Sequence, residues 1–398
     1  MIVRSSQPWP DSGGDCGIER AVRQVPPLRT IYFYLTEGCN LRCRHCWMGP
    51  KYEGGEPRGQ CLDVELFRSI LSQAIPLGLA TLKLTGGEPL LHTGIGQILD
   101  IVRLENLRLT METNGVLCSP ALAAKIASCR QPFVSVSIDG ADAETHEWVR
   151  GVGGSFEAAL RGIRNLVAAG VQPQIIMTLM RRNAGQIEDI LNLAKSLGAS
   201  SVKLNMVQPT SRGVEMHRTG ETLSIAELIR IGEWIEHDLS RRMPLPLIDY
   251  RPAAFRPLGR IFGQDSTGCG ICGILHILGV LADGSYALCG IGEHVPELLF
   301  GHAVRNHLGN VWRESPVLAE IREGMPYRLE GVCGECVLRK MCMGACIAQN
   351  YYTHKNLWST FWYCEEASRI GLFPELRQRE RNPLRRLDRG ESRASMAG

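Results

Sequence analysis

No stretch of the sequence is apolar enough to cross a membrane, because charged residues or glycine interrupt each candidate within about a dozen residues. Residues 1–27 also lack the charged and then apolar segments of a secretory signal. A strong charge imbalance is missing too: the formal charge is +3, and the last 24 residues alone hold seven Arg against four acids. We therefore expect a cytoplasmic protein that binds neither membranes nor nucleic acids.

Cysteine, by contrast, is abundant and unevenly distributed. Of 15 cysteines, three lie within residues 39–46 and eight within residues 269–364. A reducing compartment disfavours disulfides, so clustered thiols indicate metal ligation. The other four are scattered, and we interpret them as ordinary residues: Cys16, Cys61, Cys118 and Cys129.

The hydrophobic pattern from Arg29 onward predicts an α/β fold. Short apolar runs alternate with helical stretches six times, which is typical of a partial (β/α)6 barrel resembling a TIM barrel. The predicted strands are residues 30–35, 81–85, 108–112, 133–138, 174–179 and 201–205. The predicted helices are residues 63–76, 94–106, 120–128, 156–169, 186–197 and 224–239.

With 398 residues, the chain is long enough for a second, smaller domain after the barrel. We expect an N-terminal extension over 1–28, the barrel over 29–240 and a linker rich in Pro and Arg over 241–266. A cysteine-rich domain is predicted over 267–372, followed by an Arg-rich tail over 373–398.

Polar motifs follow the predicted strands where a barrel places its chemistry, at the carboxyl ends. Three cysteines follow the first strand, and Gly86, Gly87 and Glu88 follow the second. Asn114 follows the third strand, and Asp139 the fourth.

Cys39, Cys43 and Cys46 have the spacing CxxxCxxC. Thiolates are the usual ligands of iron–sulfur clusters, and a fully held [4Fe-4S] cube needs four. Three ligands leave one iron open to an exogenous ligand. The alternative is a zinc site that recruits His45 as its fourth ligand.

The segment TEGCNLRCRHCW resembles the cluster loop of the radical S-adenosylmethionine (SAM) superfamily, with His45 where an aromatic residue usually precedes the third cysteine. The resemblance implies that the amino and carboxylate groups of SAM chelate the open iron. Residues 86–88 resemble the family's GGE motif, which implies that Gly86, Gly87 and Glu88 bind the SAM ammonium; the alternative is a simple strand-exit turn. By the same resemblance, Ser137 and Asp139 meet the ribose, Arg150 pairs with the SAM carboxylate, and Asn114 belongs to the same pocket.

The later cysteines match the seven-cysteine pattern of the SPASM extension, which accompanies many radical SAM cores. Cys269 adds an eighth thiol, and eight thiols are enough to hold two [4Fe-4S] clusters with every iron ligated. The resemblance implies one auxiliary cluster on Cys269, Cys272, Cys289 and Cys346. It implies a second on Cys333, Cys336, Cys342 and Cys364. If Cys269 is not a ligand, the first auxiliary cluster has an open iron. A zinc ribbon is the alternative for this region.

Together these motifs imply three [4Fe-4S] clusters, one of which binds SAM, and an oxidoreductase that generates a 5′-deoxyadenosyl radical. Relatives with SPASM domains commonly modify peptides, so we expect an intramolecular carbon–carbon or thioether cross-link in a ribosomally made precursor peptide. The alternatives are oxidation or decarboxylation of a small molecule or tetrapyrrole of haem-pathway type, and an electron-transfer scaffold. Gly290 stands where maturases that form formylglycine carry Asp, which disfavours that reaction.

The resemblance also implies partners. A flavodoxin or ferredoxin would supply electrons. The 28 or so residues before the first strand are too few for a peptide-binding winged-helix domain, so we expect a separate leader-recognition protein or direct contacts with the barrel to bind the leader. No catalytic base is assigned, although four polar residues could face the cavity: Glu37, Asp249, Tyr250 and His276.

Overall fold

The computed structural model describes residues 25–53, 56–243, 245–249, 251–262 and 272–378. Most of the predicted N-terminal extension and Arg-rich tail lies outside these ranges, as do Cys16, Tyr250 and Cys269. Within them, no helix is long and apolar enough to cross a membrane.

A ten-stranded sheet organises the fold, in the order β12-β11-β10-β1-β4-β5-β6-β7-β8-β9. Strands β10, β11 and β12 pair antiparallel to one another, and all other pairs in this sheet are parallel. A separate two-stranded ribbon pairs β2 with β3. The strands are β1 Thr30–Tyr34, β2 Tyr52–Glu53, β3 Glu56–Pro57, β4 Thr81–Thr85, β5 Arg108–Thr113, β6 Arg130–Ser137, β7 Gln174–Leu179, β8 Ser201–Met206, β9 Leu247–Asp249, β10 Ile277–Val280, β11 Ser285–Ala287 and β12 Leu299–His302.

Helices cover the outer face of the parallel strands and continue into the C-terminal region. They are α1 Val64–Ala74, α2 Ile95–Leu104, α3 Pro120–Ala127, α4 Ala143–Arg150, α5 Ser155–Ala168, α6 Ile187–Ser196, α7 Arg212–Arg218, α8 Ile225–Trp234, α9 Ser240–Arg242, α10 Leu258–Phe262, α11 Leu308–Glu314, α12 Pro316–Gly324, α13 Gly331–Glu335, α14 Arg339–Cys342, α15 Ile347–His354 and α16 Trp362–Arg369. A π-helix, Ile235–Leu239, continues α8.

Helix α1 illustrates how the sequence builds one unit. The side chain of Asp63 caps the helix by accepting a hydrogen bond from Leu66 N, at 2.8 Å. Apolar residues three or four positions apart then form one buried face. On that face Phe67 packs on Phe33 of β1, with ring centroids 4.6 Å apart. Burying such a ring contributes about 2–3 kcal/mol.

The structure confirms the six predicted β-α units, which form β1 and β4–β8 with their following helices. Two segments extend the sheet beyond them. The stretch 241–266, predicted as a linker, contributes β9, which pairs with β8. Strand β10, from the predicted cysteine-rich domain, pairs in parallel with β1. The parallel sheet therefore extends by one strand beyond each edge of the six-unit barrel, through β9 on one side and β10 on the other.

Candidate active site

The loop that follows β1 carries the first three cysteines. Cys39 and Cys43 are buried and Cys46 is half-buried. Two backbone hydrogen bonds fasten the loop to the end of α4: Arg42 N donates to Arg150 O and Arg44 N donates to Val149 O, each at 2.9 Å. The loop is thus held in place by the fold itself.

Burial dominates the electrostatics of these thiols. It raises the pKa of Cys39, to which the nearby Glu88 carboxylate also contributes. It raises the pKa of Cys43 to about 11, although the Arg150 guanidinium acts in the opposite direction. Ligation by iron requires thiolates, so a positively charged cluster is the kind of group that would stabilise them here.

A buried ionic network adjoins Cys43. Arg150 Nη1 donates to Cys43 Sγ at 3.5 Å, and Arg150 Nη2 lies 2.8 Å from Asp139 Oδ2. His45 Nε2 lies 2.8 Å from the same oxygen, while Thr178 N donates to Asp139 Oδ1 at 2.7 Å. Despite its burial, Asp139 has a lowered pKa because Arg150 and His45 stabilise its carboxylate. Both of its oxygens are thus engaged within the protein.

Gly86 and Gly87 lie against the cysteine loop. A Cβ on Gly87 would stand 1.9 Å from Gly38 O, inside any allowed contact. Gly86 has φ +134°, which side chains other than glycine rarely tolerate. The two glycines therefore let the exit of β4 pack directly on the residues that precede Cys39.

Glu88 is buried and links the exits of two strands. Its carboxylate accepts hydrogen bonds from Thr113 Oγ1 at 2.5 Å and from Asn114 N at 2.8 Å. Asn114 Nδ2 in turn donates to Asn40 Oδ1 at 2.8 Å, beside Cys39. Burial nonetheless raises the pKa of Glu88. The carboxylate thus shapes the Asn114 loop, and Asn114 reaches the cysteine loop.

The structure brings the predicted SAM-pocket residues to one edge of the sheet. Contacts join Glu88, Asn114, Asp139 and Arg150 to the cysteine loop. Ser137, half-buried, ends β6 two residues before Asp139. Sequence reasoning missed the roles of Thr178 and His146, whose Nδ1 accepts a hydrogen bond from Asp139 N at 3.3 Å. No local motif signals either of them.

The Arg150 side chain also tests whether the site fits its cofactor. Its Nε is buried and has no hydrogen-bond partner among the described residues, although the two terminal nitrogens are engaged. A buried donor of this kind calls for an acceptor. Three thiols on one loop beside such a donor match the needs of a cluster that binds a carboxylate-bearing ligand. Within the described ranges, no group of three or more Cys, His, Asp or Glu side chains is arranged to hold a single metal ion.

The C-terminal cysteines fall into two groups. One group is Cys272, Cys289 and Cys346. Burial is the main cause of the raised pKa of Cys272 and of Cys289, and the nearby Cys346 thiol raises both pKa values further. A four-thiol cavity, lined by Cys333, Cys336, Cys342 and Cys364 together with Arg339 and Phe373, is separate from that trio. The trio belongs to one of the two predicted ligand sets, and the four cavity thiols make up the other.

A three-thiol loop at the carboxyl edge of a parallel partial barrel is where a barrel enzyme would hold an iron–sulfur cluster. Comparisons with known proteins make the class specific. The sequence model of the Radical SAM superfamily matches residues 33–194. The chain is 31% identical to the AdoMet-dependent heme synthase of Methanosarcina barkeri over 336 residues, which cover 81% of this chain and 92% of that protein.

A second relative and one solved structure of similar fold were also found. Mycofactocin maturase MftC of Mycobacterium tuberculosis is 27% identical over 345 residues, covering 84% of this chain and 82% of MftC. The crystal structure of Streptococcus suis SuiB bound to precursor peptide SuiA superimposes with a TM-score of 0.65 at 17% identity, covering 86% of this chain and 76% of SuiB. The chain belongs to the radical SAM superfamily. It is therefore an enzyme of radical chemistry whose cofactors include a [4Fe-4S] cluster and SAM.

Proposed function

We propose that this enzyme modifies a ribosomally made peptide, forming an intramolecular carbon–carbon or thioether cross-link. The observation that carries the proposal is the set of thiols beyond the radical-generating site: the trio Cys272, Cys289 and Cys346 and the four-thiol cavity. Enzymes with auxiliary clusters can pass on the electron that remains after hydrogen abstraction. The relatives include a maturase and a protein bound to its precursor peptide, which favours a peptide as the substrate.

Cys39, Cys43 and Cys46 would hold the SAM-binding cluster. When bound, the reduced cluster and SAM supply a 5′-deoxyadenosyl radical that abstracts hydrogen. Arg150 would donate its Nε to the SAM carboxylate, because that donor is buried without a partner among the described residues. The backbone at Gly86, Gly87 and Glu88 would face the SAM ammonium, and Ser137 the ribose, with Asn114 lining the same pocket.

Asp139 would act as a positioning residue. Its carboxylate already receives Arg150, His45 and Thr178 N, so it holds the Arg150 guanidinium in place and leaves the ribose to Ser137. We assign no catalytic base.

Cys272, Cys289 and Cys346, with Cys269 as fourth ligand, would hold one auxiliary cluster. The four-thiol cavity would hold the other. The assembled enzyme would then contain about twelve irons per chain. A flavodoxin or ferredoxin would reduce it, and a separate protein would recognise the leader of the peptide.

The first step of the test is to look in the reading frames beside the gene for a short peptide that contains Cys, Trp or Tyr. Such a peptide is then incubated with the reconstituted enzyme, SAM and a reductant. A cross-link lowers the peptide mass by one H2, and fragmentation locates the joined residues. A control without SAM should leave the mass unchanged. An unmodified peptide, with SAM consumed at an undiminished rate, would count against a peptide substrate.

A second candidate is oxidation or decarboxylation of a tetrapyrrole or another small molecule of haem-pathway type. The observation that favours it is the 31% identity to an AdoMet-dependent heme synthase. Loss of CO2 from a porphyrin propionate under the same conditions would identify this activity instead.

A further inference from the structure

A groove on the surface of the barrel lies between α5 and the loop that joins β5 to α3. Its volume is about 340 Å³. The residues that line it come from that loop and from the middle of α5. Two of them, Arg161 and Arg164, are arginines, and none of them is acidic. The lining therefore carries positive charge that no carboxylate of the groove balances.

Neither arginine is committed to a partner. Both are exposed, and within the described residues their side chains form no ion pair and no hydrogen bond. Arg161 and Arg164 are three positions apart on α5, so both guanidinium groups lie on the same face of the helix. Two unpaired cations on one face attract an anionic partner and raise its rate of association.

The floor of the groove is fixed by close packing. A Cβ on Gly162 would stand 2.0 Å from Gly115 O, so α5 packs directly on the loop after β5. Asn165 Nδ2 donates to Cys118 O at 2.8 Å and holds the far end of that loop. A surface that already has its shape loses little entropy when a partner binds.

The same loop reaches the radical-generating site. Val116 lines the groove and also packs against the buried group that contains Cys39 and Cys43. One side chain therefore connects this part of the protein surface with two cysteines of the loop that would hold the SAM-binding cluster.

We propose that the groove is the docking site of the acidic protein that reduces the SAM-binding cluster. The redox group of the donor would lie against the half-buried Val116 and Leu117, while carboxylates of the donor meet Arg161 and Arg164. One electron passes from the donor to the cluster, and no atom is exchanged. A small interface with an apolar centre and a charged rim suits such a transient encounter. The inference rests on the proposed function only for the cluster held by the cysteine loop.

The experiment follows reduction of the reconstituted, SAM-bound enzyme under anaerobic conditions. The donors are flavodoxin hydroquinone, on an acidic protein, and the methyl viologen radical, a small cation. Rapid freezing and EPR give the rate at which the SAM-binding cluster is reduced, because SAM shifts the signal of that cluster. The proteins are wild type, Arg161→Gln/Arg164→Gln and the control Arg108→Gln/Arg130→Gln. The control removes two exposed arginines from the opposite, amino-terminal ends of β5 and β6.

With flavodoxin at low ionic strength, Arg161→Gln/Arg164→Gln should be reduced about tenfold or more slowly than wild type, because two attractive charges are lost. Added salt should slow the reduction of wild type toward the rate of this variant. Methyl viologen should reduce the variant at least as fast as wild type. The control should match wild type with both donors.

Equal rates for wild type and Arg161→Gln/Arg164→Gln with flavodoxin overturn the proposal. So does an equal loss in Arg108→Gln/Arg130→Gln, since the effect would then come from net charge rather than from the groove. A loss with both donors also counts against docking, because the arginines would then support the cluster site itself. If neither donor produces a signal that SAM shifts in wild type, the cluster assigned to the cysteine loop is refuted, so the two failures are distinguishable.

Discussion

The two best-described thiol sites are built in different ways. The loop of Cys39, Cys43 and Cys46 is short, and backbone hydrogen bonds to α4 and glycine packing from β4 hold it. The four-thiol cavity is assembled from α13, α14 and α16, helices of four to eight residues that would be marginal alone. The first site is therefore supported by the barrel itself. The second should depend on its metal for folding.

The largest expected effect is the loss of SAM cleavage when a cysteine of the loop is replaced. Cys43→Ala removes a predicted ligand from a site that the sheet supports, so it should abolish release of 5′-deoxyadenosine from SAM. The melting temperature should change by no more than about 3 °C. Cys61→Ala, which removes an exposed thiol outside the groups, is the control. Undiminished release from Cys43→Ala would refute the assignment of the loop.

The next effect concerns the four-thiol cavity. Cys364→Ala should lower the iron content by about four per chain. The melting temperature should fall by roughly 4 °C or more, because short helices lose the group that joins them. Cys118→Ala deletes an equally buried thiol outside the groups and should retain all its iron. An unchanged iron content in Cys364→Ala would show that the four-thiol cavity holds no cluster, and the contrast with the loop of Cys39, Cys43 and Cys46 would then fail.

Gly87 tests whether glycine packing shapes the loop. In Gly87→Ala the new Cβ meets Gly38 O at 1.9 Å and must displace the loop, so we expect SAM to bind about tenfold more weakly or worse. Gly185→Ala adds the same methyl group where no atom lies within 4 Å. Calorimetry with SAM compares the two variants. Equal affinities would show that the loop does not need this contact.

The sequence predicted the barrel strands well because each is a short run of buried apolar residues. It missed α4, whose residues AETHEWVR are mostly polar, although Asp142 caps the helix and the left-handed Gly151 ends it. It also missed β9, which has three residues and owes its place to pairing with β8. Pairing between distant segments leaves little local trace.

In the candidate site, too, some residues could be predicted from the sequence and others could not. Spacing alone identified the three cysteines of the loop, and resemblance gave Arg150 and Asp139. His45 and Asp139 are 94 positions apart, and Arg150 ends a helix that the sequence did not predict, so only the fold could reveal that both residues pair with Asp139.

The smallest expected effect arises from His146, which lies buried beside the Asp139 network. Burial and Arg150 lower its pKa to about 3, against about 6.5 in an unfolded chain. Above pH 6.5 the ring is neutral in both states. As the pH falls from about 6.5 toward 3, the unfolded chain binds a proton that the folded protein does not, so stability is lost.

Between pH 7.5 and 6.0 this proton should cost about 0.8 kcal/mol of unfolding free energy, which His146→Gln should recover. Urea unfolding at both values measures the difference, and His237→Gln, at an exposed histidine, should keep the wild-type dependence. The same experiment on Cys364→Ala should show the wild-type dependence, because the four-thiol cavity lies outside this network. If wild type and His146→Gln show the same pH dependence of the unfolding free energy, the folded protein accommodates the His146 ring in both charge states. Protonation would then not distinguish the barrel site from the four-thiol cavity.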